Sequence, residues 1–520
     1  MFYLPSALMI LFRIAGAKSQ GNCVHESYSY ANCRVMRELI KPAFLLAVVS
    51  LCFFQTVLQW QNGVFREFAA AILSLQWTLL VCLAVWCGSF IFLTFSRRDL
   101  PLIGLLVIAI AVYFISYKES SPGVDSIILL AGVTLGKGAA VLLKADGRWK
   151  MEDGVEKEVR SQESEVGNTI PEIVTRHSSL VTFLVGLVLL LAFGSWWHLD
   201  MTNNFYQGPR WMGLWNNPNI YGMLMGAGVV LAIGLLATNS KLKIKNSKLG
   251  WVLFIAAGMM GAGLIFSYSR GAWVGTAVGL LYLAKVYGKF KWRSLKLFLF
   301  SGFCFLLLIF GVWFFWNTPQ TAPWCFQRLD FSRGSVQHRV AAWRGAFQMM
   351  RDHPLGVGWN KAVEMYEKNY SPPEGGAAAI TMNSYLMLGT QLGIPALVCF
   401  LAYAGLALKG DRSWKLGVGK NAECGTRSVE CISELRIKTA CRAGAIMLLV
   451  AFWFDGGLFT LATASVFWIL LELGSSQVED GRWKMGGEKT ESGKQKTEMD
   501  QSLVPPSQTC GKTSTSAATN

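Results

Sequence analysis

Apolar residues run along this chain in long blocks, and short polar or charged segments separate them. The blocks fall at 41–58, 70–96, 101–117, 123–143, 178–196, 219–237, 249–267, 270–284, 295–317, 384–407, 439–454 and 458–474. A helix rises about 1.5 Å per residue, so about 20 residues cross a hydrocarbon layer of about 30 Å. The pattern predicts an all-α polytopic membrane protein with about twelve transmembrane helices, although the 439–454 block falls below that length.

Charge gives the sidedness. Arg97 and Arg98, then Lys144 to Arg176, Lys241 to Lys248, Lys285 to Lys296 and Lys409 to Arg442 occupy every second loop. The positive-inside rule assigns those loops to the cytoplasm and predicts both termini there. The opposite side then receives 59–69, 118–122, 197–218, the Ser267–Arg270 turn and the long 318–383 loop. This is the expected topology of a multi-pass membrane protein with that long loop outside the cytoplasm.

The expected organisation is an N-terminal segment 1–40 of open role, a membrane domain 41–474 and a tail 475–520. Residues 144–176 mix both charges with Gly154, Gly167 and Pro171, as a cytoplasmic connector does. The tail is Gly, Ser, Thr, Lys and Glu with almost no aliphatic content, a composition expected to be disordered. Met1 to Leu11 fits a signal peptide poorly, because no charged region precedes the apolar one.

Composition sharpens this picture without changing it. Hydrophobic residues make up 52% and charged residues 15%, against about 25% charged in soluble domains, which excludes a water-soluble fold of this size. The net charge of +16 would suggest nucleic acid in a soluble protein, but here it sits in the loops between spans, so no nucleic-acid partner is expected. Of twelve Cys, Cys52, Cys82, Cys87, Cys304 and Cys399 lie in or beside apolar blocks, while Cys424, Cys431 and Cys441 are irregularly spaced. Neither set has metal-site spacing, and no metal or cofactor is expected.

Candidate chemistry lies on the outer side. Within 335–351, Val336, Val340, Trp343, Phe347 and Met350 recur at helical spacing, with Arg339 and Arg344 away from the stripe. This predicts an amphipathic helix in the long loop, ended by Pro354 and the Gly356-Val-Gly358 turn. Arg210 is the only cation of 197–218 and stands before Asn219, which is placed to cap the next helix behind Pro218. Arg270 occupies the tight turn Ser267-Tyr-Ser-Arg-Gly-Ala-Trp273. Arginine's planar, permanently charged fork matches phosphate oxygens two at a time, so Arg210, Arg270 and Arg339 together suggest a phosphate or diphosphate site. Snorkelling, helix-end pairing or interface anchoring explains each arginine equally well when taken alone.

These segments, in this order, resemble the bacterial O-antigen ligase and O-antigen polymerase superfamily. The resemblance rests on Arg210 to Asn219, Ser269-Arg270-Gly271, Arg339-Val-Ala-Ala-Trp343, His353-Pro-Leu-Gly-Val-Gly358, and Asn383-Ser-Tyr-Leu386 followed by Gly389 to Gly393. It covers roughly residues 200–410 by motif. It implies metal-independent transfer or polymerisation of an undecaprenyl-diphosphate-linked saccharide onto a sugar hydroxyl of a saccharide or glycolipid acceptor, at the periplasmic face. Arg210 and Arg339 match family arginines that hold the diphosphate, and Arg270 is a further candidate. Trp211 and Trp343, with Trp359 and Tyr366, are candidates for stacking on sugar rings.

One departure matters. Ligases of the superfamily carry a histidine immediately before the Asn383 position, and this chain has Met382, which cannot accept a proton. The resemblance therefore leaves the general base open, with Glu374 the speculative choice and Glu364, His338 and His353 as other candidates in the same loop. A polysaccharide or lipid transporter, or a non-catalytic scaffold of an envelope polysaccharide system, remains the alternative reading.

Overall fold

The computed structural model describes residues 40–50, 52–53, 97–117, 124–144, 178–196, 210–215, 217–242, 247–287, 334–359, 361–371, 383–409 and 427–475. Outside them lie the expected blocks at 70–96 and 295–317, the connector beyond Lys144, the tail after Ser475, and residues Glu374 and Met382.

The described elements are helical: α1 (Ile40–Ser50), α2 (Leu100–Tyr117), α3 (Val124–Lys144), α4 (Ser178–Trp196), α5 (Pro218–Leu242), α6 (Ser247–Phe266), α7 (Arg270–Val286), α8 (Gly334–Asp352), α9 (Lys361–Asn369), α10 (Ser384–Leu392), α11 (Ile394–Leu408), α12 (Arg427–Ala451) and α13 (Leu461–Gly474). Helix α5 packs against α4, α6, α7 and α12, while α13 packs against α3 and α12. Tyr221, Leu224, Met225, Val230 and Leu231 make α5 a core helix with almost no exposed surface.

Small residues set the closest approaches. Gly271, Gly275 and Gly279 repeat every fourth position of α7, and a Cβ on Gly275 would fall 2.6 Å from the Met447 carbonyl oxygen of α12. On α3, a Cβ at Gly136 would fall 2.7 Å from the Trp468 carbonyl oxygen of α13. Such spacing brings backbones together where dispersion, rather than water exclusion, holds helices side by side.

The expectation of about twelve spans is corrected. Three helices among the described residues are long and apolar enough to cross a membrane: Asp125–Leu143, Pro218–Thr238 and Lys248–Phe266. Other apolar blocks form helices that are too short, including Leu100–Ile115, Ser179–Ser195, Ile394–Leu408 and Leu461–Gly474. The physical reasons are local. The block at 384–407 is broken at Gly393 into α10 and α11, and the block at 458–474 spends its first residues on a 3-10 turn at Gly457–Phe459. The block at 439–454 belongs to a longer helix, α12, that starts at Arg427 and carries Arg427, Glu430, Glu434, Arg436, Lys438 and Arg442 in its first part. Apolar length read from sequence therefore overstated the number of continuous membrane-length helices.

The break at Gly393 is built as a latch. Gly393 has φ 88 and ψ 172, a conformation reserved for glycine, and Gly356 on the facing loop has φ 84. The loop donates from Val357 N to Thr390 O at 3.0 Å and from Gly358 N to Gln391 O at 3.0 Å, while Pro354 O accepts from Ile394 N at 2.8 Å. The last carbonyls of α10 and the first N–H of α11 thus find partners in the 354–358 loop. A Cβ on Gly356 would sit 2.6 Å from Gly393 N, and one on Gly393 would sit 2.6 Å from Pro354 O. Gly393→Ala is expected to lose about 3 kcal/mol through backbone strain and collision. A thermal melt in detergent that matches wild type would contradict this account of the latch.

At the far end of α13 from residue 461, a group whose charges balance among the described residues joins four elements. Glu472 of α13 is 1% exposed. Its carboxylate accepts from Arg98 Nη2 at 3.3 Å, lies 3.2 Å from Lys137 Nζ of α3, and accepts from the Tyr403 hydroxyl of α11. Lys137 Nζ also meets Asp99 Oδ1 at 2.7 Å and lies 5.2 Å from the Tyr403 ring centroid.

Candidate functional site

The segment entering α5 shows how one arginine is placed. Pro218 takes the first helical position, where its missing N–H and fixed φ suit the start of a helix. Asn217 is then the cap: its Oδ1 accepts from Asn219 N at 2.9 Å and Ile220 N at 3.4 Å. The expected cap, Asn219, stands two residues too late, and its side chain is released for another task.

That task is a bridge. Arg210 is 6% exposed; its Nε donates to Ser267 O at 2.8 Å and its Nη2 donates to Asn219 Oδ1 at 2.9 Å. The Asn219 amide donates onward to the Asp455 carboxylate. Ser267 belongs to the tight turn between α6 and α7, where Tyr268 has φ 50 and Ser267 Oγ donates to Leu264 O at 2.7 Å. Arg270 opens α7 from this turn and is partly buried.

A second arginine reaches the same place from far along the chain. Arg339 of α8 donates from Nη1 to Phe454 O at 3.0 Å. Helix α8 matches the expected amphipathic helix, with a shifted inner face: Ala342, Ala346, Met349 and Met350 are buried, whereas Val340 is 39% and Phe347 53% exposed. The small residues of that face let α8 lie close to α9 and α10.

The turn between α12 and α13 is pinned by α10. Ser384 N donates to Phe452 O at 3.0 Å, Ser384 Oγ donates to Asp455 O at 2.8 Å, and Leu458 N donates to Ser384 Oγ at 3.1 Å. Asn383 caps α10 by accepting from Tyr385 N at 2.9 Å and Leu386 N at 3.1 Å. Burial pushes the Asp455 carboxyl up to about 6 from the ordinary 3.8, against the Asn219 hydrogen bond, the Arg339 charge, the Gly456 N–H and the Arg210 charge, all of which favour the carboxylate. A carboxyl tuned to that range, with two arginines beside it, has the properties of a proton acceptor next to an anion-holding group.

Of the residues expected from sequence, Arg210 and Arg339 converge on the 454–455 turn. Trp343 meets Trp453 edge-on at 5.6 Å between centroids. Trp211 packs its ring on Phe266 at 4.7 Å and donates from its backbone to Phe266 O at 3.0 Å, beside the Arg210 bridge. Trp359 and Tyr366 are core residues, fully buried, with Trp359 Nε1 donating to Ala109 O at 3.1 Å. Glu364 is exposed on α9, and His353 meets Tyr370 edge-on at 6.5 Å. Asp455 escaped the sequence reading. Its signal was present: it is the only acidic residue between Glu434 and Glu472, and it stands at the Gly456-Gly457 break between two apolar blocks. Among the described residues, no group of three His, Cys, Asp or Glu is placed to hold a metal ion.

Two arginines and a carboxyl thus meet near the starts of α5, α7, α10 and α13, in a helical protein that carries membrane-length apolar helices. Residues 255–401 match the O-antigen ligase family, and an O-antigen ligase domain is present over this part of the chain. The match runs from within α6 to within α11 and contains Arg270, Arg339 and Asn383, while Arg210 and Asp455 lie on either side of it. No curated protein matches the chain.

Proposed function

We propose that this protein transfers a glycan from a lipid-linked diphosphate to a sugar hydroxyl, as a ligase or polymerase, at the end of the helix bundle where Asp455 lies. The observation that carries the reading is the convergence of Arg210 and Arg339, 129 positions apart in the chain by their numbers, on one turn that holds a carboxyl of raised pKa. The O-antigen ligase domain over residues 255–401 supports the same reaction class.

In the proposed reaction the acceptor hydroxyl oxygen attacks the anomeric carbon. Its proton passes to the Asp455 carboxylate as the bond from that carbon to the diphosphate oxygen breaks, and the electron pair leaves with the diphosphate. Arg339, with Arg270 of the same matched domain, offsets the charge on the departing group. Arg210 is a positioning residue: its Nε and Nη2 are committed to Ser267 O and Asn219, so it acts on Asp455 through the Asn219 amide. The site faces the periplasm in this reading, the side on which the resemblance places the lipid-linked donor.

The test is transfer of a radiolabelled glycan from undecaprenyl diphosphate by the full chain in liposomes, with EDTA present. Arg339→Ala is expected to reduce turnover about 100- to 1,000-fold, and product length separates polymer extension from single transfer to an acceptor. An Arg339→Ala protein that turns over at the wild-type rate would remove Arg339 from the mechanism. A folded wild type without turnover, given verified donor and a panel of acceptors, would favour a transporter or a scaffold instead.

A further inference from the structure

Two buried donors near the Asp455 turn have no protein acceptor. Asn383 is completely buried. Its Oδ1 is consumed by the α10 cap, and its Nδ2 has no hydrogen-bond partner. Trp343 Nε1 on α8 is likewise buried without a partner. An N–H held away from water without an acceptor is destabilising, so two of them around one short segment call for a common explanation.

Trp343 meets an exposed ring, and Asn383 stands two residues before a second neighbour of that ring. Trp453 is 39% exposed, although it stands in a turn otherwise drawn into the core at Phe452. Its ring centroid lies 5.6 Å from that of Trp343 and 5.6 Å from that of Tyr385. Tyr385 is fixed by its hydroxyl, which donates to Leu449 O at 2.6 Å, and Asn383 precedes Tyr385 by two residues on the cap of α10. Ser384, between them, holds Phe452 O and Asp455 O. Asn383 is thus tied through α10 to the turn of the carboxyl proposed as the base, and Trp343 reaches the same turn through its contact with Trp453.

We propose that Trp453, Asn383 and Trp343 form a saccharide subsite, in which one sugar ring of the glycan substrate lies on the Trp453 indole and its oxygens accept from Asn383 Nδ2 and Trp343 Nε1. The chemistry fits a sugar in particular. Pyranose rings present an apolar face to an aromatic surface, and their hydroxyl and ring oxygens accept from N–H donors. Both unpartnered groups are donors, so a ligand rich in acceptor oxygens completes them. This proposal rests on the glycan-transfer reading and extends it by naming where a sugar is read.

Asn383→Ser and Trp343→Phe separate recognition from folding. Serine caps a helix about as well as asparagine but has no amide donor, and phenylalanine keeps an aromatic ring at 343 while removing the N–H. In the liposome transfer assay, each is expected to raise KM roughly tenfold for one glycan, the value of one hydrogen bond to a group otherwise left unpaired, with kcat and melting temperature close to wild type. A rise in KM for the lipid-linked donor places the donor's sugar on Trp453; a rise for the acceptor places the acceptor's sugar there. Trp453→Ala is expected to raise the same KM, and Trp453→Phe to restore most of it. Unchanged KM values for both glycans, or a loss confined to kcat or paralleled by a lower melting temperature, would overturn the subsite. Wild-type protein that transfers no glycan would instead defeat the transfer reading, and the subsite with it.

Discussion

Asp455→Asn is expected to reduce glycan turnover by about 100- to 10,000-fold, the range supplied by a positioned general base. Asparagine keeps the size of the side chain and its contact with Asn219, while losing the capacity to take a proton. In the wild type the rate is expected to climb as pH rises through about 6, where the carboxyl ionises, and to level above it. Stability moves the opposite way. The folded carboxyl titrates above its ordinary 3.8, so between about 4 and 6 the folded chain holds a proton that the unfolded chain has released, and stability falls as pH rises through that window. The ionised form then weighs against the fold at neutral pH, by at most roughly 3 kcal/mol for two pH units. Asp455→Asn is therefore expected to melt no lower than wild type at pH 7.5 while being nearly inactive. An active Asp455→Asn protein, or a rate flat between pH 5 and 8, would remove Asp455 from the role of base.

Glu472→Gln is expected to have the largest effect on stability. Among the described residues, the substitution leaves Arg98 and Lys137 with Asp99 as their remaining carboxylate in a group whose charges balance in the wild type. Removing one partner of a buried ion pair costs about 3–5 kcal/mol, mostly because the remaining charge is left uncompensated. The double variant Glu472→Leu with Lys137→Met removes one charge of each sign and is expected to recover most of the loss, since apolar side chains of similar volume replace buried pairs at little cost. Thermal unfolding in detergent, followed for both variants, checks this. A double variant no more stable than Glu472→Gln would show that the four groups do not act as a balanced set.

Helical character and several boundaries were legible in the sequence. Ser178–Trp196 matches its apolar block, and Pro218, Phe266 and Arg270 lie within a residue of the ends read from the pattern. The amphipathic helix was visible from Arg339 and its apolar stripe, although Val340 and Phe347 turn outward. Continuity of spans was not legible, because hydropathy sums composition and is blind to the positive φ that breaks the 384–407 block at Gly393. The arginines were visible as isolated cations, but not their shared destination, since the fold alone brings residues 210, 339 and 455 together. Asp455 lay hidden because one acid at a Gly-Gly break reads as a helix boundary, and because its altered affinity for protons comes from neighbours supplied by other helices. The Met382 vacancy in the superfamily pattern directed attention to the 364–374 carboxylates, whereas the carboxyl beside the arginines stands on the far side of α12.

The nine residues of α10 work as a strut of fixed length. One end, at Asn383 and Ser384, sets the height of the Phe452–Leu458 turn, and the other, at Gly393, is gripped by the 354–358 loop. Adding or deleting one residue inside such a strut turns its ends by about 100° relative to each other and shifts them by about 1.5 Å. Gly393 would then leave its grip, or Ser384 its turn, and no flexible joint lies between them to absorb the difference. Length variation among proteins built to this plan is therefore expected only in the stretches outside the strut, and the count of residues from Asn383 to Gly393 is a ruler by which a related chain can be tested for the same geometry at its carboxyl.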